Sequence, residues 1–293
     1  VFIATLIASD HLAAGEISTA MDRLEAAGCA PVAQGWIEPG KAADIAFGLA
    51  SDAARTALEG AFPGIDVVVQ QAEGREKKLL VADMDSTMIT VECIDELADF
   101  AGIKPQIAAI TEAAMRGELD FEGALDARVA LLAGLNEAVI ERCLAERVTI
   151  MPGAVALIGT MRARGATAIL VSGGFTRFAE PVAAQIGFHR AIANRLEIAG
   201  GVLSGTVTKP IVGSDTKLQT LLAAMAELNL PPEATLAVGD GANDLAMIRA
   251  AGLGVAYYAK PVVAAATDAR IDQGDLSALL YAQGIPRAEW VGA

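Results

Sequence analysis

Two aspartates, Asp83 and Asp85, stand directly after the short apolar run Leu79 to Ala82. The polar cluster Asp83-Met84-Asp85-Ser86-Thr87 reads as the carboxyl end of a buried parallel strand. Open α/β sheets carry their chemistry at that edge. On a chain that stays extended, side chains two apart point the same way, so the two carboxylates would converge. Carboxylates that close repel each other unless a cation or a shared proton holds them together. A solvated strand end would satisfy the same letters. A calcium loop would not, because Met88 and Ile94 stand where an EF-hand needs glycine and glutamate. The other reading is a magnesium-assisted phosphoryl-transfer site, and the rest of the chain must decide between it and the solvated end.

Two further apolar runs end in the same manner. Thr167 to Val171 leads into Ser172-Gly173-Gly174-Phe175, where small residues let backbone N–H groups approach an oxyanion and Ser172 adds a hydroxyl. An ordinary turn uses these residues too. Thr235 to Val238 leads into Gly239-Asp240-Gly241-Ala242-Asn243-Asp244. Two acids and an amide within five residues suit a hard cation, and they also suit a turn followed by a helix cap. Between these runs, Ser214 or Asp215 can cap a helix reaching Leu228, with Lys217 in its first turn. The helix dipole disfavours a cation there, so Lys217 either sits in solvent or points at an anion.

The elements that must carry these groups form an α/β pattern. The chain of 293 residues is long enough for two domains. Hydrophobic residues make up 54% of it, which excludes a disordered chain. Its 22 basic and 36 acidic residues give a formal charge of −14, which argues against nucleic acid or an anionic membrane as partner. Any anionic substrate must then be held by local positive charge and backbone donors. Cys29, Cys93 and Cys143 are widely spaced, lack a CxxC motif, and read as free thiols in a reducing compartment. No apolar run approaches a membrane span, and no basic segment precedes an apolar one as in a signal peptide. The expectation is a cytoplasmic protein, whose natural start can precede Val1.

Residues 1–76 read as βαββαβ. Strands are expected at Phe2 to Ala8, Val32 to Ile37, Asp44 to Leu49 and Ile65 to Gln70. Helices are expected at Gly15 to Gly28 and after a cap at Ser51 or Asp52. The polar stretch Glu73 to Lys78 reads as a linker. Residues about 88–150 carry only helical spacing and read as a lid over the first strand end, suited to a reaction that excludes and then admits water. Within it Arg128 has apolar neighbours at i−4, i−3, i+3 and i+4, so its guanidinium either reaches back to water or meets an anion. Glu92 is either a helix-starting acid or the partner of an ammonium group. An acid and a base on one lid would suit an amino-acid zwitterion.

Taken in order, DMDST, SGGF, DTK and GDGAND resemble the four motifs of the haloacid dehalogenase-like phosphohydrolases over about residues 78–285. Glu92 and the run DFEGALDARVALL resemble the small cap of the phosphoserine phosphatase branch, and the first 76 residues resemble an ACT-type, ferredoxin-like unit. The resemblance implies a Rossmann-like parallel-sheet domain over 77–293 with a small all-helical cap. It also implies Mg²⁺-dependent hydrolysis of O-phosphoserine, the last step of serine biosynthesis. In that scheme Asp83 is the nucleophile and Asp85 the acid and base. Mg²⁺ is bound by Asp83, the Asp85 carbonyl and Asp240, with Asp244 supporting it through water. Ser172, Gly173 and Lys217 hold the phosphate oxygens, and Asn243 orients substrate. Glu92 and Arg128 read the amino and carboxyl groups, while Met115, Phe121 and Gly174 line the pocket. The amino-terminal unit is expected to form a homodimer or bind an effector such as serine. A phosphatase for another small ester, such as phosphohomoserine or a sugar phosphate, and a non-catalytic amino-acid sensor on the same fold are the alternatives.

Overall fold

The computed structural model describes residues 1–115 and 118–292. The amino-terminal unit runs β1 (Phe2–Ala8), α1 (Ala14–Ala26), β2 (Pro31–Glu38), β3 (Ala42–Phe47), α2 (Ser51–Leu58) and β4 (Ile65–Gln71). Its strands form an antiparallel sheet in the order β2-β3-β1-β4, so the expected βαββαβ pattern closes into a ferredoxin-like layer. Ala13 precedes α1, and its N–H donates to Glu16 at 2.7 Å. One detail differs from expectation. The cap of α2 is Ala50 in a left-handed conformation, with Ser51 and Asp52 already in the first turn.

The chain continues with β5 (Leu79–Ala82), then four helices: α3 (Cys93–Phe100), α4 (Lys104–Met115), α5 (Phe121–Ala130) and α6 (Ala138–Arg147). After α7 (Ala154–Ala163) come β6 (Thr167–Phe175), α8 (Thr176–Ile186), β7 (Arg190–Asn194) and the hairpin of β8 (Leu196–Ala199) and β9 (Val202–Val207). Then follow α9 (Ser214–Leu228), β10 (Thr235–Gly239), α10 (Leu245–Ala250), β11 (Leu253–Tyr257), α11 (Pro261–Ala264), β12 (Ala269–Ile271) and α12 (Ala278–Ala282).

The second sheet is parallel, in the order β12-β11-β10-β5-β6-β7. Every residue of β5, β10 and β11 is buried, because helices cover both faces. Alternate residues serve opposite layers: Leu79 and Val81 pack with Leu221 and Met247, whereas Leu80 and Ala82 join Leu157, Phe178 and Leu280. Full burial of such a side chain contributes about 1.5–3 kcal/mol. Successive strands leave β5 in both directions, so the crevice at the carboxyl ends of β5 and β10 is the topological switch point.

Two sequence expectations change here. Ser172 to Phe175 do not turn; β6 runs on through them, with an irregularity between Val171 and Phe175. Arg190–Asn194 forms an edge strand that the sequence pattern did not suggest. Helices α3 to α6 form the insertion over the strand ends, and its two connections pair with each other. Thr90 N–H donates to the Thr149 carbonyl at 3.0 Å and Met151 N–H to the Met88 carbonyl at 2.9 Å. All three cysteines are buried and free. Among the described residues no helix is long and apolar enough to cross a membrane.

The stretch expected to be a linker is a fastened strap. Arg75 pairs with Asp44 at 2.6 Å and donates to the Ala282 carbonyl at 3.1 Å. Lys77 is only 4% exposed, its ammonium donating to the carbonyls of Gly74 and Glu233 at 2.9 and 2.8 Å. Burial, with help from Arg75, pushes its pKa down to about 8. Asp66, buried on β4, accepts N–H bonds from Asp272 and Gly274 at 2.8 Å and from Gln273 at 3.2 Å, fixing the turn after β12. Asp66→Ala would leave these amides without their acceptor. Chemical denaturation should report a loss of about 2–4 kcal/mol, with Asp66→Asn losing less because it keeps one oxygen.

Candidate active site

The ladder between β5 and β10 extends one residue past Ala82, with Asp83 N–H donating to the Val238 carbonyl at 3.0 Å. This pins Asp83 at the rim of the sheet. Its carboxylate meets Lys217 Nζ at 2.6 Å, and the same ammonium meets Asp244 at 2.6 Å. Lys217 and Asp244 have no exposed surface and Asp83 is 6% exposed. Lys217 is therefore neither solvated nor peripheral. The first turn of α9 holds it beneath the strand ends, its N–H donating to the Gly213 carbonyl at 3.1 Å.

Asp244 reaches this position because Gly239 has no side chain. A Cβ there would collide with the Asp244 carboxyl carbon. The other Asp244 oxygen accepts the Gly241 N–H at 3.0 Å. Asp240 completes the group, held by the hydroxyl of the buried Thr87 at 3.2 Å. One carboxylate oxygen from each of Asp83, Asp240 and Asp244 lies within 4.8 Å of the others.

The charges do not balance, since three carboxylates share one ammonium. Burial would push the Lys217 pKa down, yet Asp83 and Asp244 overcome it and hold the ammonium above the ordinary lysine value. Burial and then Asp244 drive Asp83 well up, against the pull of Lys217. Burial, Asp244 and Glu92 raise Asp240 to about 6. We take Lys217 as charged, because it has two carboxylates, and the excess negative charge as the cause of the upward shifts. A compact all-oxygen group with surplus negative charge fits a hard divalent cation.

Asp85 departs from the simple alternation of a strand. The N–H groups of Thr87, Met88 and Ile89 all return to the Met84 carbonyl, and Ser86 takes a positive φ of 55°. The chain turns, and the Asp85 carboxylate lies outside the acidic group. One of its oxygens accepts the Cys93 N–H at 3.0 Å and the other the Ser172 hydroxyl at 3.3 Å. Ser172 Oγ in turn accepts the Gly174 N–H at 2.8 Å. Gly174 leaves room for Asp85, because a Cβ there would lie 2.8 Å from its oxygen. Burial, then Glu92, raises the Asp85 pKa to about 6.

The helical insertion roofs the site. A Cβ at Gly173 would lie 3.0 Å from the Phe121 ring and one at Gly213 3.3 Å from it, so α5 touches both the end of β6 and the approach to α9. Asp120 caps α5 by accepting the Gly123 N–H at 2.8 Å. Arg128 is half-buried, its Nε donating to the Ala124 carbonyl at 3.2 Å. Burial lowers its pKa, while Asp95, Glu92 and Asp85 act against that shift. Glu92 accepts the Ser86 hydroxyl at 2.6 Å and stays exposed. Asn243, half-buried, folds over Gly241. The Met115 side chain lies outside the described residues. A cleft of about 560 Å³ between β1, Lys41 and the segment Ile150 to Gly153 carries none of these groups.

Sequence reasoning passed over three residues. Thr87 holds Asp240, and its place inside DMDST was the signal available. Cys93 holds Asp85 through its backbone, which leaves no mark in the residue type. Asn194, 2% exposed, donates to the carbonyls of Gly173 and Val212 at 2.8 and 3.1 Å and accepts the Val212 N–H at 2.7 Å. It ties the end of β6 to the approach of α9, and it went unseen because β7 did.

Residues 80–249 match the family described as haloacid dehalogenase-like hydrolase. A phosphoserine phosphatase from Streptomyces coelicolor is 46% identical over 246 residues, covering 83% of this chain and 60% of that protein. The chain thus spans less than two thirds of that relative's length. A phosphoserine phosphatase from Albidiferax ferrireducens is 46% identical over 208 residues, covering 69% of this chain and 88% of that protein. Among solved structures, a probable phosphoserine phosphatase from Vibrio cholerae in unliganded form superposes with a TM-score of 0.77 at 34% identity, covering 96% of this chain and 86% of that one. With the three strand-end motifs and Lys217 of α9 gathered at one sheet edge and the family match spanning them, the chain belongs to the haloacid dehalogenase-like hydrolases.

Proposed function

We propose that the chain is a phosphoserine phosphatase, hydrolysing O-phospho-L-serine to L-serine and phosphate with Mg²⁺ at the last step of serine biosynthesis. The observation that carries this reading is the pairing of a buried acidic group around Lys217 with a roof presenting Arg128 and Glu92. Relatives named phosphoserine phosphatase support the substrate.

In this mechanism an Asp83 oxygen attacks phosphorus as the bond to the serine oxygen breaks, giving an aspartyl-phosphate. Asp85, with its pKa near 6, gives its proton to that leaving oxygen. It then takes a proton from water as the water oxygen attacks phosphorus, which breaks the bond to Asp83 and releases phosphate. Lys217, Ser172 and the Gly173 N–H stabilise the equatorial oxygens, and Asn243 orients the substrate. Mg²⁺ held by Asp83, the Asp85 carbonyl and Asp240, with Asp244 supporting it through water, would supply the positive charge that lets an acidic site accept a phosphate. Arg128 reads the substrate carboxylate with two parallel bonds, and Glu92 receives the ammonium. Phosphate-monoester hydrolysis needs acceleration of up to about 10²¹-fold, or about 28 kcal/mol. One oxyanion donor supplies about 3–4 kcal/mol and positioning about 7–11, so all these groups are required together.

For residues 1–76 the reading is a regulatory or dimerising unit. Its edge strand β2 leaves Val32 70% and Trp36 41% exposed, which supports a self-associating edge. Three buried free thiols suit a reducing compartment such as the cytoplasm.

Phosphate release from phosphoserine should vanish in EDTA and fall about 10³-fold or more in Asp83→Asn. Activity that survives either change overturns the mechanism. Arg128→Ala should raise KM for phosphoserine by about 10- to 100-fold while leaving p-nitrophenyl phosphate nearly unchanged. Equal effects on the two substrates would remove carboxylate recognition and favour a phosphatase for another small ester. Sedimentation of the full chain should give a dimer that Trp36→Asp dissociates, and a monomeric wild type removes the self-association reading.

A further inference from the structure

The two oxygens of Asp85 are held by different parts of the molecule. One accepts from Ser172, on the end of β6 in the rigid sheet. The other accepts, at 3.0 Å, from the backbone N–H of Cys93, the first residue of α3. Helix α3 is also the first helix of the roof, packed against α6 and joined to the sheet through the paired connections at Ile89 and Ile150. Cys93 is 1% exposed and packs among Leu97, Leu125 and Cys143 of the roof and Leu80, Met84 and Leu170 of the sheet, so its amide keeps this place only while α3 is packed there. An N–H in the first turn of a helix has no intrahelical acceptor and lies at the positive end of the dipole, which makes it a strong donor to a carboxylate. The fixed partner alone cannot aim Asp85. A single contact of 3.3 Å to a rotatable hydroxyl leaves the carboxyl free to swing about it.

We propose that the Cys93 backbone amide is the positioning group for Asp85, so that the proton donor is aimed at the leaving oxygen only while α3 is seated. The inference rests on the reading of Asp85 as acid and base. It makes seating of the roof and readiness for proton transfer a single event. An unseated roof would leave Asp83 able to meet a phosphate but without a directed proton for its alkoxide.

A backbone donor at this position can be deleted. Proline is favoured in the first position of a helix, where its missing N–H breaks no helical bond. The residue before it, Glu92, already has the extended backbone (φ −93°, ψ 110°) that a following proline requires. Cys93→Pro thus removes the N–H bond to Asp85 together with the thiol beside that carboxylate, and Cys93→Ala removes the thiol alone, so the difference between the two variants isolates the N–H. The readout is the first-turnover rate of phosphoryl transfer on two substrates: phosphoserine, whose alkoxide must be protonated, and p-nitrophenyl phosphate, whose phenolate leaves unaided. Cys93→Pro should slow the phosphoserine step by about 10²-fold, a general-acid contribution, with KM changed less than threefold and p-nitrophenolate release nearly unchanged. Cys93→Ala, which keeps the N–H, should slow the phosphoserine step about tenfold less than Cys93→Pro and leave p-nitrophenolate release nearly unchanged. Asp85→Asn separates the two failures. If it does not slow phosphoserine selectively, the role given to Asp85 is wrong. If it does but Cys93→Pro behaves like Cys93→Ala or slows both substrates equally, the positioning role is wrong.

A second measurement does not depend on the proline variant folding. The chain has three cysteines, so ¹⁵N-cysteine labelling gives three amide signals. The Cys93 proton should lie downfield in the wild type and move upfield in Asp85→Ala, with Cys29 and Cys143 unmoved. An unmoved Cys93 signal overturns the proposal.

Discussion

The site depends on one ammonium group buried between carboxylates. Lys217 touches Asp83 and Asp244 at 2.6 Å each, with Asp240 beside them. Removing one partner of a buried ion pair costs about 3–5 kcal/mol, because the remaining charge is left unpaired in low dielectric. The arrangement persists because β5, β10 and α9 are fixed by packing on both faces of the sheet. Its net negative charge is what gives it chemical use. The group is short of positive charge by itself and is completed when a hard cation is present.

Around that ammonium, small residues matter for the space they leave. Gly239 makes room for Asp244, and Gly174 makes room for Asp85. The two aspartates of DMDST are then divided by a local backbone feature. Three amides fold onto the Met84 carbonyl, and Ser86 takes a positive φ. Asp83 stays with the acidic group, whereas Asp85 faces Ser172 and α3. Two identical side chains two residues apart thereby acquire different surroundings and different proton affinities.

The amino-terminal sheet is not loosely tethered to this machinery. One of its faces packs on α1 and α2, while Ile7, Ala42 and Val68 enter the core that also holds Leu280 and Tyr281. Arg75, Asp66 and Gln70 add polar fastenings, including a 2.7 Å bond from Gln70 to the Ala282 carbonyl. A stretch rich in charge can therefore be structural, when each charge finds a carbonyl or an opposite partner on the neighbouring unit.

The sequence by itself determined the α/β class, the βαββαβ pattern, the helical insertion and the strand ends at Asp83 and Asp240. Those features are local: apolar runs of strand length, helical spacing and turn residues act within a few positions of themselves. It also carried Arg128 and Lys217 as residues out of place, one on an apolar face and one in a helix's first turn. Whether Lys217 met water or an anion was a question about distant residues, and only the packed structure answered it. Tertiary contacts alone decided that Asp83 and Asp85 part company, that Ser172 to Phe175 continue a strand, that Glu73 to Lys78 is fastened, and that Asn194 and the Cys93 amide hold the site. In each case the partner lies on another element or on the backbone, where residue type gives no sign of it.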